Sequence, residues 1–535
     1  MSTSGYGLFL AGQAALNDGR NAQAADYFEQ AAQAGDLDGG VVAERAFAAA
    51  LMAGDVEKAA ALAPTGDDAS EGGRRLGLLT VAVEEMAEGK GKDARTLLDG
   101  DDIGFPHRSA AALLAPWAAA MAGDTSGSLV RPNLKDDRLV EYIGELGQAY
   151  LFERARRYDE AETDFKALAE GERTTEMAVL AYGGFLERRG RRKDAVALYD
   201  TALTADPHRS SILAARERAA AGRTAPPAPT LREGAAQVML APAAAMLAAK
   251  QNQLGLAYLR LALRLDPRKA EAWVMVGDVM AGAGELEQAR SAYEKVRPGS
   301  PEYVDARAKL AWAYQTSGDS ESAIKVAREA AEGGAADARL NLADLLRADE
   351  RYGEAADILS GLIAEESEPD WRLLYARGVC YERVGRWPDA EADMQAALKL
   401  RPDEPELLNY LGYSWIDRGE HLKEALAMVE KAVAADPHNG AMIDSLGWAH
   451  YRLGDYAKAV DLLEEAIELE AGDPEINNHL GDAYWRVGRR DEARFQWKRV
   501  LTLNPDDKIK ADAEAKLASG LGPAGPAKTS RVATP

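Results

Sequence analysis

A single cysteine, Cys380, stands among 535 residues, so no disulfide within the chain and no cysteine-based metal cluster can form. No stretch approaches the roughly 18 consecutive apolar residues of a transmembrane helix. The first sixteen residues carry no Lys or Arg ahead of the short run Leu8-Phe9-Leu10, whereas an export signal needs a charged start and a longer apolar core. The protein is expected to be cytoplasmic; an export signal ahead of Met1 would make it periplasmic. Positive charge is also scarce, with 64 Lys and Arg against 87 Asp and Glu and a formal charge of −23. Nucleic acid requires a basic footprint and an anionic membrane surface repels such a chain, so neither is expected as a partner. Aromatics make up only 7% beside 47% hydrophobic residues and 49 Gly, which favours closely packed helices over aromatic-rich sheets.

What the sequence has is repetition. Glycines 378, 412, 447 and 481 are spaced by 34, 35 and 34 residues. The same small-residue slot recurs backward at Ala343, Ala311, Gly277 and Ala243, giving eight units between 236 and 506. Turn strings such as Val384-Gly385-Arg386-Trp387 and Leu453-Gly454-Asp455-Tyr456 put Gly where a helix must stop. Pro402, Pro437 and Pro505 then end each second helix. Earlier in the chain, Gly12, Phe47, Ala82, Pro116, Ala149 and Gly183 keep the period with blurred residues, which makes six further units.

These residues match the tetratricopeptide repeat, a 34-residue helix-turn-helix unit with small and aromatic residues at fixed places. The resemblance implies an all-α fold, an α-solenoid of tandem hairpins wound into a right-handed superhelix. Residues 1–222 are expected to form a degenerate array of about six units and 236–506 one of about eight. Between them, Gly183 to Ala243 is 60 residues, too long for one unit. That insert holds a predicted helix, Ser211 to Ala221, and a linker at 223–235 with three prolines in four residues. Residues 507–518 are predicted to form a capping helix and 519–535 a disordered tail.

In this family the first helix of each unit lines the concave wall, which is read at positions two, five, nine and twelve, counting the small residue as eight. Position five of the last four repeats gives Tyr375, Asn409, Asp444 and Asn478, and position nine gives Val379, Tyr413, Trp448 and Asp482. Position twelve gives Glu382, Ile416, Tyr451 and Trp485; position two was assigned Arg372, Glu406, Met442 and Glu475. The candidate partner site is therefore Arg372, Tyr375, Asn409, Tyr413, Asp444, Trp448, Tyr451, Asn478, Asp482 and Trp485. Asn amides can hold an extended peptide backbone, and Trp and Tyr supply interface anchors. Against this stands packing of Trp448, Tyr451 and Trp485 as ordinary core. Tyr375 and Asp444 occupy places where a clamp for a terminal carboxylate would need cations. Arg372, Arg383, Arg452 and Arg486 face a choice between an acidic partner and salt bridges to neighbouring helices.

No catalytic set converges and no cofactor is expected. The six histidines, His107, His208, His421, His438, His450 and His479, include no helical i, i+4 pair for a metal. His450 and His479 lie in adjacent repeats, but two ligands make a poor site. Gly89-Lys-Gly-Lys92 lacks the Gly-Lys-Ser/Thr ending of a phosphate loop, and Cys380 reads as a small core residue.

The strings Leu411-Gly-Tyr-Ser-Trp-Ile-Asp417, Asp444-Ser-Leu-Gly-Trp448 and His479-Leu-Gly-Asp482, with Trp485-Arg-Val-Gly-Arg-Arg490, resemble a bacterial family of long tetratricopeptide proteins. That family includes an outer-membrane lipoprotein that scaffolds a carboxyl-terminal processing protease; no lipobox cysteine is present here. The resemblance implies a non-enzymatic scaffold or adaptor that holds a protein or peptide partner, with a protease among the candidates. A self-assembling structural subunit is the alternative from another class.

Overall fold

The computed structural model describes residues 4–522 apart from 35–36, 67–68, 136, 172–173, 207–208, 367 and 369. The expected tail beyond 522, together with Pro207 and His208, lies outside the described residues. Every regular element among the described residues is helical, and the chain divides into two compact units, Met1–Ala330 and Ala331–Pro535.

The first unit opens with six hairpins. They are α1–α2 (Gly5–Asn17, Asn21–Ala34), α3–α4 (Gly39–Ala53, Val56–Ala61) and α5–α6 (Glu71–Ala87, Gly91–Leu98). Next come α7–α8 (Arg108–Met121, Thr125–Ser128), α9–α10 (Arg138–Arg154, Tyr158–Glu170) and α11–α12 (Glu176–Arg188, Arg192–Ala205). A single helix, α13 (Ser210–Ala220), packs on α11 and α12. Three further hairpins are α14–α15 (Leu231–Ala248, Asn252–Leu265), α16–α17 (Ala270–Gly282, Leu286–Tyr293) and α18–α19 (Tyr303–Thr316, Ser320–Ala331).

The second unit stacks α20–α21 (Ala336–Ala348, Tyr352–Glu365), α22–α23 (Trp371–Arg383, Trp387–Leu400) and α24–α25 (Pro405–Arg418, Leu422–Ala435). It continues through α26–α27 (Gly440–Leu453, Tyr456–Leu469) and α28–α29 (Pro474–Arg486, Arg490–Val500) to α30 (Asp507–Ser519).

Two devices recur among the hairpins. At some turns a Gly-Asp pair does both jobs: Gly454 takes φ of 89° to end α26, and Asp455 accepts the Lys458 N–H at 3.4 Å to start α27. Gly54-Asp55 repeats this between α3 and α4. Midway along the first helix, the small slot faces an aromatic on the second. A Cβ on Gly183 would lie 2.3 Å from the Tyr199 ring, and one on Gly481 would lie 2.5 Å from Trp497.

The linker is shorter than expected. Residues 223–230 are non-helical, but α14 already begins at Leu231 because Thr230 and Glu233 form a capping box. The Thr230 hydroxyl accepts the Glu233 N–H at 3.2 Å, and the Glu233 carboxylate accepts the Thr230 N–H at 2.9 Å. The first compact unit runs on through this segment, so its limit falls at Ala330.

The first unit also departs from nearest-neighbour stacking. Helix α14 packs on α7 and α9, and α15 packs on α3 and α5, the first helices of repeats two to five. The hairpin thus fills the inner side of the array. Leu256, Tyr258, Leu259, Leu261, Leu263 and Leu265 of α15 are all buried, so apolar contacts enclose most of the helix, with Arg260 and Arg264 interspersed. The receiving wall is apolar too, with Leu79, Val83, Met86, Leu113, Trp117 and Leu146 buried. Polar contacts set the register. The Tyr258 hydroxyl lies 2.8 Å from His107 Nδ1, and Arg264 donates to both Glu84 oxygens at 2.8 and 2.5 Å. Burial, with Arg75 nearby, pushes the His107 pKa down to about 4, so the ring is neutral.

Candidate functional site

In the second unit the inner wall stays open. Helices α22, α24, α26, α28 and α30 line a cavity of about 930 Å³. Four candidate residues meet there: Tyr413, Trp448, Asn478 and Asp482. Beside them stand Glu382, Tyr410, Asp417, Glu475 and His479, and from α30 come Asp506, Asp512 and Lys516.

Trp448 is both wall and packing. It is 9% exposed and stacked between Tyr451, at 4.5 Å and 8°, and His479, at 4.0 Å and 12°. Its Nε1 has no hydrogen-bond partner. Asp444 does not face a ligand; it is buried and pairs with His479 Nδ1 at 3.0 Å. Burial works against charge on His479, and the carboxylates of Asp444, Glu475 and Asp482 outweigh it, so its pKa stands above the ordinary histidine value. Tyr413 donates its hydroxyl to Glu475, and Tyr410 donates to Glu382 at 2.6 Å. Burial and the adjoining carboxylate hold both phenols well above their usual pKa.

The remaining candidates lie elsewhere. Tyr375 is half-buried, edge-on to Tyr410 at 5.5 Å. Asn409 is half-buried and its Oδ1 has no partner. Arg372 is exposed, 3.5 Å from Asp370 and over the Trp371 ring. Tyr451 accepts from Arg486 Nε at 3.2 Å. Trp485 is not an open groove residue: its Nε1 donates to the Leu521 carbonyl at 3.1 Å, and its ring packs on Gly520 and Trp497. At position two, Met442 is corrected to Ala441, the residue six before Gly447; Met442 is buried beside Leu408 and Ala432.

The capping helix supplies what the sequence reading missed. Asn478 and Asp482 are engaged by α30: Lys516 donates to Asn478 Oδ1 at 3.1 Å and to Asp482 at 2.8 Å, while Asn478 donates to Asp512 at 2.8 Å. Asp482 also accepts the Trp497 Nε1 at 3.0 Å. Ala515 falls 34 residues after Gly481, so Asp512 and Lys516 occupy positions five and nine of a further half-repeat. Extending the period by one unit would have found them.

Chemistry beyond binding finds no set of groups. No cluster of three or more His, Cys, Asp or Glu suited to a metal occurs among the described residues. His450 lies 3.6 Å from Asp455, and His479 is committed to Asp444. Cys380 is fully buried, and burial pushes its thiol up to about 11. No helix among the described residues is long and apolar enough to cross a membrane.

The tetratricopeptide repeat family profile matches residues 146–210, 308–370, 375–440 and 445–508. A TPR repeat-containing protein of Pseudomonas aeruginosa is 34% identical over 113 residues, which is 21% of this chain and 19% of that protein. A BBSome complex member of Bos taurus is 30% identical over 153 residues, 28% of this chain and 27% of that one. This chain therefore spans about a quarter or less of the length of these curated relatives. A solved tetratricopeptide repeat protein from Parabacteroides merdae superposes with a TM-score of 0.41 at 15% identity, covering 46% of this chain and 98% of that one. With hairpins of the expected period in both units and four profile matches upon them, the chain carries tetratricopeptide repeats.

Proposed function

We propose that the chain is a non-enzymatic scaffold that holds a protein or peptide partner in the groove of its second unit. The carrying observation is the open cavity of about 930 Å³ to which inner-wall side chains of four successive repeats and α30 contribute. Solenoid inner walls offer extended binding surfaces, and this one presents the phenols of Tyr410 and Tyr413 beside the carboxylates of Glu382 and Glu475. The strings shared with the long bacterial tetratricopeptide family support an adaptor role, with a processing protease as one partner class.

A photo-crosslinking residue placed at Tyr413 or Asp417 tests this reading, with Leu469 at the exposed end of the outer helix α27 as the control. The same partner should be trapped from 413 and 417 and not from 469. Equal trapping from all three positions would refute a groove. A large oligomer of the chain alone by light scattering, crosslinked to itself from 413, would support the self-assembling subunit instead.

A further inference from the structure

We propose that this groove selects a cationic segment, an extended stretch of a protein partner whose Lys or Arg side chains enter between tyrosine rings and uncompensated carboxylates. The proposal rests on the groove reading above and names its ligand chemistry.

The first ground is how the charges are committed. Of the carboxylates lining the cavity, Asp482 and Asp512 are neutralised by Lys516. Glu382 and Glu475 are not: each accepts a tyrosine hydroxyl, from Tyr410 and Tyr413, and among the described residues neither has a Lys or Arg partner, Glu475 only adding to the field that raises the His479 pKa. Asp506 is likewise without a cation and caps α30 by accepting the Ile509 N–H at 2.7 Å. Asp417 has only Arg452 at 3.9 Å, whose closer contact is the Asp417 carbonyl at 2.6 Å. Apart from Lys516, the cations of the lining are Arg383 and Lys508, both exposed and screened by solvent.

A second ground is the shape of those two acid sites. In each, a phenol ring and a carboxylate are fixed side by side, so an alkylammonium or guanidinium can lay its stem on the ring and its head on the oxygen. Three of the four arginines that would have welcomed an acidic partner are already occupied. Arg372 bonds Asp370, Arg452 bonds Asp417, and Arg486 bonds Tyr451 and the Gly522 carbonyl.

The third ground is independent of charge. Trp448 is nine-tenths buried with both ring faces covered by Tyr451 and His479, and it reaches the cavity only with its ring edge. That edge gives an extended segment an apolar contact between the flanking acids.

The test is selection of a displayed library of random twelve-residue peptides on the full chain. Wild type should enrich Lys and Arg several-fold over the input, and the selected peptides should lose about tenfold in affinity as salt rises. The double variant Glu382→Gln with Glu475→Gln, verified as folded by circular dichroism, should lose most of that enrichment. Trp448→Phe should weaken the same peptides without changing their charge preference. Neutral or acidic winners that still depend on Tyr413→Ala would overturn the cationic proposal and leave the groove standing. Winners indifferent to Tyr413→Ala would overturn both, as would the absence of any enrichment. Cationic winners unaffected by the double Gln variant would place the charge recognition outside this groove and refute the proposal.

Discussion

The two units use one repeat and treat its inner wall in opposite ways. In the first, the wall positions carry Leu79, Val83, Leu113, Trp117 and Leu146, and the chain covers them with its own α14–α15 hairpin. In the second, the matching positions carry Tyr375, Asn409, Tyr413, Trp448 and Asn478, of which the last three line a cavity. Backbone architecture is shared, so side chains at a few helical positions decide between a wall that must be buried and one that water or a partner can occupy.

Four experiments sharpen or break that contrast. Trp117→Ala should have the largest effect, about 3–5 kcal/mol lost from the first unit, because its fully enclosed ring fills the space over Gly234. Hydrogen exchange should rise in α15 and stay level in α28; equal rises in both would break the contrast.

Acidity should act with opposite sign on the two units. His107 is neutral when folded, with a pKa of about 4 against about 6.5 unfolded. Its contribution is complete above pH about 6.5 and is lost as pH falls toward 4, with a ceiling of about 3 kcal/mol. His479 has a raised pKa, so its contribution is complete below about 6.5 and is lost as pH rises through the raised value. Exchange in α15 should therefore quicken on acidification and that in α28 on moving to alkaline pH. A common direction, or no change in the His107→Gln and His479→Gln comparisons, would contradict the assignment.

Gly447→Leu should cost about 1–3 kcal/mol in the second unit, since even a Cβ there lies 2.8 Å from Leu463. An unchanged urea midpoint would disprove the close helix approach. Smallest of all, Glu475→Gln should shift stability by less than about 0.5 kcal/mol, because an exposed carboxylate without a cation has little to lose. A larger drop would make Glu475 part of the structure of the wall and not a free acceptor for a ligand.

Much of this was legible in the 34-residue period. The small slots at 12, 183, 277 and 481, the Gly-Asp turns and the helix-ending prolines located the hairpins, because each acts within one repeat. The filling of the first wall shows in the sequence only as Leu79, Val83 and Trp117 standing at the positions that carry Asn409 and Trp448 in the second unit. Which hairpin covers that wall is a long-range matter that periodicity does not encode. At the groove, Tyr413, Trp448, Asn478 and Asp482 converge as the register implies. Asp444 turns to His479, and Trp485 to Leu521, because neighbouring repeats and α30 compete for the same polar and aromatic groups.

The hairpin lodged in the first unit changes how that unit must come apart. A solenoid held by adjacent contacts can fray from its ends, each repeat opening almost on its own, like a one-dimensional lattice. Arg264 on Glu84 and Tyr258 on His107 tie residues 180 and 151 positions apart, so α3 to α9 cannot open without expelling α15. The first unit is therefore expected to fold more slowly and more cooperatively, since a long loop must close, whereas the second needs mainly contacts between neighbouring repeats. One chain thus joins a body tied across its length to one whose repeats are free to open more nearly one by one.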